Sequence, residues 1–276
     1  MKILAVIASP LGRGNTYKTV KAVESRLQAV DKTVEFEYLI LKDMDFQLCR
    51  GCFQCLARGE KYCPIRDERA LVEEKLNGCD GFIFASPVYN YNMSWMAKNF
   101  SDRFAYISHR PRFHGKKAMV VATTGGVGLS FTLFTLKFPL MIWGFEVAAK
   151  LGIACSPGRF SEEQLREMER KKEKAVLKAA DKFYNSLSGK KKPRPGIISV
   201  FGFLIQKVSF ASAGKDNVDY LYWKGKGWFD PEVYYYCDAS IGPVKRFAAW
   251  LASRIALAGM FRPETDKDEA AGRRQA

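Results

Sequence analysis

Ile3-Leu4-Ala5-Val6-Ile7-Ala8 runs straight into Ser9-Pro10-Leu11-Gly12-Arg13-Gly14-Asn15-Thr16, and this stretch decides how the rest of the chain is read. A continuous apolar run fits a central parallel strand covered on both faces. The residues after it are mostly small, polar or glycine, and they end where a helix can begin, near Asn15, to run to about Ala29. Ser9, Asn15 and Thr16 offer side-chain hydrogen bonds. Gly12 and Gly14 let backbone amides turn inward, and Arg13 adds a charge-assisted donor. A helix amino terminus brings unpaired amides and a favourable dipole, so the loop suits a phosphate group. It matches neither Gly-x-Gly-x-x-Gly nor the Walker lysine spacing. Taken alone, it is equally an ordinary strand–helix turn with an N-cap.

Working outward, the pattern repeats. Val34 to Ile40 alternates as an outer strand, a helix spans about Asp67 to Leu76, and a strand runs Asp80 to Ser86. A helix then spans roughly Ser94 to Ser108, followed by a strand from Lys117 to Thr123. Phe131 to Trp143 reads as a helix that Pro139 should kink. Glu146 to Ile153 is either the end of that helix or the approach to a fifth strand. Ser161 to Leu187 has the caps and charge pattern of a long surface helix. Such alternation implies a doubly wound α/β sheet built through right-handed crossovers. The loops after the first, third and fourth strands then leave the same carboxyl edge, where ligands bind. Two of them are Ser86-Pro87-Val88-Tyr89-Asn90-Tyr91 and Thr123-Thr124-Gly125-Gly126-Val127-Gly128. A flat ring fits between them, with Pro87 and Gly125 fixing backbone approach and Tyr89 against the ring. Met93, Trp95, Met96 and Phe100 form an apolar stripe at helical spacing, suited to core or dimer packing, with Met93 the best candidate for ligand contact.

Four of the seven cysteines form the run Cys49-x2-Cys52-x2-Cys55-x7-Cys63. The first three thiolates can converge from one turn, and the Gly59 region can bring Cys63 back. Four soft sulfurs suit an iron–sulfur cluster first and zinc second. The alternative is a set of buried or pairwise redox thiols that shape a loop. Cys79, Cys155 and Cys237 are isolated and read as small buried hydrophobes. Asp67 is placed to cap the next helix rather than to bind metal.

At 276 residues, 47% apolar, the chain is long enough for one sizeable core plus an appendage. No secretory segment precedes the first strand, so clustered cysteines fit a reducing cytoplasm. The net charge of +15 would attract phosphorylated cofactors or anionic lipid. No recognition helix or aromatic–basic motif supports nucleic-acid binding. Two histidines, His109 and His114, exclude a multi-histidine metal site and read as solvated residues beside the basic loop Arg110-Pro111-Arg112. No Gly-x-Ser-x-Gly is present for a serine hydrolase. A boundary at 188–196 divides the chain into 1–187 and an apolar, aromatic extension, 188–276. Within it, Ile197 to Phe210 is mostly apolar, Tyr220 to Tyr236 is aromatic-rich, and Phe247 to Met260 reads as an amphipathic helix. The last dozen residues should fray. So many large rings must pack somewhere: in a domain of their own, on a partner subunit or at a membrane surface. Ile197 to Ile205 is too short to span a bilayer.

With those residues in view, the chain resembles the flavodoxin-like NAD(P)H-dependent FMN reductase family, and its iron–sulfur flavoprotein branch most of all. The resemblance rests on SPLGRGNT at 9–16, CRGCFQCLARGEKYCPIRD at 49–67, SPVYNYNMSWMAKNFSDR at 86–103 and TTGG at 123–126, and covers about residues 1–185. It implies a flavodoxin-like three-layer sandwich whose five-stranded parallel sheet has the order 2-1-3-4-5, with FMN at the strand ends and a homodimer or tetramer. By analogy Ser9, Arg13, Gly14, Asn15 and Thr16 take the phosphate. Pro87, Val88, Tyr89 and Asn90 line the flavin ring, and Thr124, Gly125 and Gly126 complete its pocket. Asp102 and Arg103 fall on the family's helix beside the flavin loop, where a structural salt bridge explains them equally well. Cys49, Cys52, Cys55 and Cys63 become ligands of a [4Fe–4S] cluster, although the family's last gap is usually shorter. The implied activity is electron transfer from NAD(P)H through FMN to an unidentified acceptor, with no side-chain acid or base required. A ferredoxin-like protein is an alternative electron partner. Rival readings are a noncatalytic or membrane-associated electron-transfer flavoprotein and a zinc-stapled interaction protein.

Overall fold

The computed structural model of the chain describes residues 1–155, 158, 161–189 and 192–260, the last five of these by backbone alone. Lys190, Lys191 and the last dozen residues, expected to fray, lie outside the described residues. The described chain divides into two compact units, Met1–Lys191 and Lys192–Ala276.

The first unit is a parallel sheet. Its strands are β1 (Lys2–Ile7), β2 (Glu35–Ile40), β3 (Gly81–Tyr89), β5 (Lys117–Thr124) and β6 (Glu146–Ala154). They lie side by side in the order β2-β1-β3-β5-β6, and a short β4 (Asn92–Met93) pairs antiparallel with β3. With the long strands counted alone, the order is 2-1-3-4-5, the flavodoxin-like arrangement. Side chains alternate across the sheet. Leu4 and Val6 point into one apolar layer with Phe82, Phe84, Val120 and Phe100. Ile3, Ala5 and Ile7 point into the other with Ile83, Ala85, Met119 and Val121. Helices α3 (Arg69–Gly78), α4 (Trp95–Arg103) and α5 (Leu129–Ile142) cover the first layer. Helices α1 (Asn15–Val30) and α6 (Glu162–Ser188) cover the second. Ser161 starts α6 with a capping box to Gln164.

Three sequence expectations change here. Glu146–Ala154 is the fifth parallel strand in full, paired with β5 from end to end. Pro139 lies inside one continuous α5, where burial of Leu136 and Leu140 holds the helix through the missing amide. The helix expected over 94–108 stops at Arg103, and a 3-10 turn, Ala105–Ser108, follows. Phe104, Tyr106 and Ile107 are all fully buried, and so close a trio cannot share one face of an α-helix.

The second unit is helical. It contains α7 (Ile197–Ala211), α8 (Val218–Gly225) and α9 (Pro243–Met260). The aromatic stretch makes its own core: Trp223 is fully buried among Phe203, Trp228 and Tyr236, with ring centroids 5.0 to 5.6 Å apart. The Tyr236 hydroxyl donates to Gln206 Oε1 at 2.6 Å. Among the described residues, no helix is long and apolar enough to cross a membrane.

Candidate functional site

Three loops leave the carboxyl edge of the sheet side by side. The first turns tightly, with the Gly12 amide donating to Ser9 O at 2.9 Å, and Gly14 N-caps α1. No side chain caps that helix start and no acid lies in its first turn. Its amides and dipole therefore meet no competing anion within the helix. Asn15 is exposed there. Arg13 is swung to the side, donating to Asp43 Oδ2 at 2.7 Å. Thr16 is buried and its hydroxyl is 2.7 Å from that of Thr123, at the end of β5. Thr16 thus ties the first loop to the last. Ser9 is buried too.

The middle loop is a hairpin. Val88 pairs with Met93 and Tyr89 with Asn92, and the turn between them puts Asn90 and Tyr91 at φ +46° and +65°. Ser94 N-caps α4, its hydroxyl donates to Ala8 O at 2.6 Å and its amide donates to Ser86 Oγ at 2.9 Å. Sequence reasoning assigns Ser94 and Ser86 no role beyond their place in the 86–103 segment. Their signal is a pair of hydroxyls eight residues apart across a hairpin. Pro87 is in register with Thr123, which brings the middle and last loops together. In the last loop Thr124 Oγ1 donates to Val127 O and accepts from the Gly126 amide, so that amide is engaged within the loop. Gly128 has φ +94°, and a Cβ there would lie 2.9 Å from the Tyr91 Cα, so only glycine lets this loop approach the hairpin. Tyr89, Tyr91 and Val127 are exposed at the rim, and Gly125 is open beside them. The expected apolar stripe divides: Phe100 enters the core, Met93 and Met96 are half-buried, and Trp95 faces solvent.

The cysteine segment occupies the other end of α4, about 14 Å along the axis from Ser94 to Arg103. It holds a one-turn helix α2 (Gln54–Ala57) and a 3-10 turn, Glu60–Tyr62, joined by Gly59 at φ +104°. Cys49, Cys52, Cys55 and Cys63 line one narrow cavity of about 30 Å³, together with Ile65, Arg69, Arg103 and Tyr106. Cys49 and Cys52 are exposed and the other two half-buried. No three of the described His, Cys, Asp or Glu side chains are placed as a ready metal-ligand set. The four thiols share a cavity rather than a coordination sphere. Their chemistry nevertheless fits a thiophilic metal or cluster. Burial pushes the Cys55 thiol up, and the neighbouring Cys63 and Cys49 push it further. A bound cation would reverse that repulsion.

Charged side chains pin this segment. The Cys49 amide donates to Asn99 Oδ1 at 2.9 Å, and Arg103 donates to Gln47 O at 2.7 Å, both from α4. Arg103 forks onto Asp67 at 2.5 and 2.7 Å with both side chains 1% exposed. Asp67 also accepts from the Gln47 and Arg69 amides, at 2.9 and 3.3 Å. Burial by itself would raise the Asp67 pKa, but Arg103 and these amides bring it below the ordinary carboxylate range. Asp67 is therefore an anchor, and Glu68 takes the N-cap position of α3. Asp102 pairs instead with Lys98 at 2.5 Å. Among the described residues the buried Arg103 Nε has no hydrogen-bond partner.

The basic loop is not solvated. Arg110 is 2% exposed and donates to Cys55 O at 2.6 Å, while Arg112 bridges Glu60 and Glu73 at 3.1 and 2.6 Å. Glu73 also accepts from Tyr106 and Arg69. Burial opposes ionisation of Glu60, yet its backbone hydrogen bond, Arg112 and Arg110 hold its pKa low. His109 and His114 are half-buried, His114 so close to Gly144 that a Cβ there would lie 2.7 Å from its ring. Among the isolated cysteines Cys79 is buried, its thiol pushed up to about 11 by that burial, and Cys155 and Cys237 are half-buried.

The chain is similar to known proteins in sequence and in fold. Residues 1–150 match the family model described as NADPH-dependent FMN reductase. An iron–sulfur flavoprotein of Archaeoglobus fulgidus is 28% identical over 234 residues, 83% of this chain and 100% of its own. One from Clostridioides difficile is 25% identical over 221 residues, 80% of this chain and 94% of its own. Among solved structures, RosB with bound 8-demethyl-8-formylriboflavin-5'-phosphate superposes with a TM-score of 0.53 at 14% identity, over 68% of this chain and 79% of its own. An FMN-dependent NADH-azoreductase of Bacillus anthracis in complex with FMN superposes with a TM-score of 0.50 at 14% identity, over 67% and 100%. These two likenesses concern the fold.

Proposed function

The chain belongs to the family of NADPH-dependent FMN reductases, and from that premise we propose that it is an FMN-dependent oxidoreductase. It takes electrons from NAD(P)H and passes them to an acceptor by way of a [4Fe–4S] cluster on its cysteine segment. The observation that carries this reading is the tying of three loops at one sheet edge by buried hydroxyls, Thr16 to Thr123 and Ser94 to Ala8.

When bound, FMN supplies the chemistry, hydride acceptance and one-electron release. The protein binds and positions. The first-turn amides of α1, with Ser9, Gly14 and Asn15, hold the phosphate, and Arg13 must leave Asp43 to add its charge. Pro87, Val88, Tyr89, Asn90 and Met93 line one side of the ring and Thr124, Gly125 and Gly126 the other. The rim tyrosines exclude water from the ring edge. Cys49, Cys52, Cys55 and Cys63 hold the cluster. Arg103 and Arg69 line the same cavity and offset its negative charge. Helix α4 carries Ser94 at the flavin end and Asn99 and Arg103 at the cysteine end, so one rigid element spaces the two cofactors. The exposed row Phe131, Phe134, Phe138 and Met141 on α5 supports a homo-oligomer.

Anaerobic purification followed by an absorption spectrum and iron analysis tests the reading. Flavin bands with a broad cluster absorbance and about four irons per chain are expected. Flavin without iron keeps the reductase and removes the cluster. Colourless bound metal points to a zinc-stapled protein. A colourless protein that FMN cannot reconstitute defeats the whole assignment.

A further inference from the structure

The second unit holds a helix turned the wrong way out. On α9 the packed side is narrow and made of small or polar residues: Ala249 is fully buried, Ser253 is 3% exposed, and Lys245 reaches back to Pro195 O at 3.0 Å. The large apolar residues face outward. Val244 is 81% exposed, Phe247 62%, Leu251 44% and Ile255 66%, at positions that stack along one helix face, with Trp250 beside them at 46%. Phe247 and Trp250 stack on each other, centroids 6.0 Å apart. A helix of a globular core shows the opposite pattern. Helix α7 packs against α9 and opens with Ile197 and Ile198, 47% and 79% exposed, just after the exposed Lys192 and Arg194.

The charges say what covers this face. Helix α9 carries no acid; with Lys245 held on the packed side, Arg246 and Arg254 are its exposed cations, and residues 192–260 hold nine Lys or Arg against five Asp or Glu. A second copy would bring those cations against each other. Residues 261–276 offer one large apolar side chain, Phe261, among eight charges. An anionic lipid surface satisfies both properties at once. It takes Phe, Trp, Leu and Ile into the headgroup–acyl boundary and pairs the cations with headgroups. We propose that the outward face of α9 lies flat on an anionic membrane surface, making this a peripheral membrane protein. The inference stands independently of the flavin reading.

The test is co-sedimentation of the full chain with vesicles of phosphatidylcholine, with and without phosphatidylglycerol. Binding to the anionic vesicles is expected to be about tenfold or more stronger than to phosphatidylcholine alone, and to weaken with added salt. Phe247→Glu and Trp250→Glu, both at exposed positions, should each abolish pelleting while leaving the circular-dichroism spectrum unchanged. Arg254→Gln, a milder change, should reduce binding several-fold. A chain that stays in the supernatant with both vesicles overturns the proposal. So does equal binding to both, or light scattering that shows a lipid-free dimer dissolved by Trp250→Glu.

Discussion

The strand-end loops and the cysteine segment lie at opposite ends of α4 and are held by opposite means. The loops are placed by the sheet itself. Three parallel strands end together, and two short hydroxyl bonds, Thr16 to Thr123 and Ser94 to Ala8, finish the alignment. The cysteine segment has no strand of the main sheet to place it. It hangs on long-range contacts of charged side chains, the pairs of Arg103 with Asp67 and of Arg112 with Glu60 and Glu73, and the hydrogen bond from Arg110 to Cys55 O. Backbone topology builds the first site and side-chain electrostatics build the second. That division suits a phosphate, which amides can hold, and the proposed cluster, around which the four thiols would have to close.

The sharpest way to break the comparison is Cys52→Ala. Iron should fall from about four per chain to none while flavin is retained, because the two sites are placed by different forces. Unchanged iron refutes the ligand role. Arg103→Met comes next. It leaves Asp67 buried and unpaired and should cost about 3–5 kcal/mol in denaturant unfolding. A double change of Arg103 to Met and Asp67 to Leu should recover much of that. In cluster-loaded protein Arg103→Met should also lower the reduction potential, since a positive charge beside an anionic cluster favours its reduced form; an unmoved potential would separate Arg103 from the cluster.

Thr16→Val should be milder, about 1–3 kcal/mol from the Thr123 hydroxyl left buried without its partner. Weaker FMN binding should accompany it, read by fluorescence titration. Acid gives a graded effect. Asp67 and Glu60 have folded pKa values below their unfolded ones, so their stabilisation is complete above the ordinary carboxylate range and is lost as pH falls through the lowered values. Amide protection, taken relative to the intrinsic exchange rate at each pH, should therefore fall first over 47–67 on acidification, before the sheet opens. Arg13→Ala should be smallest in stability, under about 1 kcal/mol, because its pair with Asp43 is solvent-exposed. Its FMN affinity should still drop, which would separate a phosphate ligand from a surface ion pair.

Much of the first region was legible in the chain. An apolar run such as Ile3 to Ala8 can be little other than a central strand, and alternating strands and helices wind only one way, so topology brought the three loops together. The role of Thr16 was not legible. Its hydroxyl was read as facing a ligand, and it faces Thr123, 107 residues away in sequence. In the second region the thiol spacing was plain, but the arginines were not. Arg110 and Arg112 were legible only as a basic loop beside the two histidines, because a charge run carries no mark of the acids that the fold will bring to it. Glu60 and Glu73 supply those partners from distant segments.

With the strand order 2-1-3-4-5 supplied by the family resemblance, the sequence itself determined which segments alternate as strands and helices, which loops share one sheet edge and where four thiols cluster. These follow from periodicity, handedness and donor chemistry, which are local properties. Only the tertiary structure decided that the thiols rest on a lattice of buried ion pairs, that α4 spaces the two sites, and that α9 turns its large residues outward. Those outcomes depend on which side chains meet across the fold, and burial sets the strength of each such meeting.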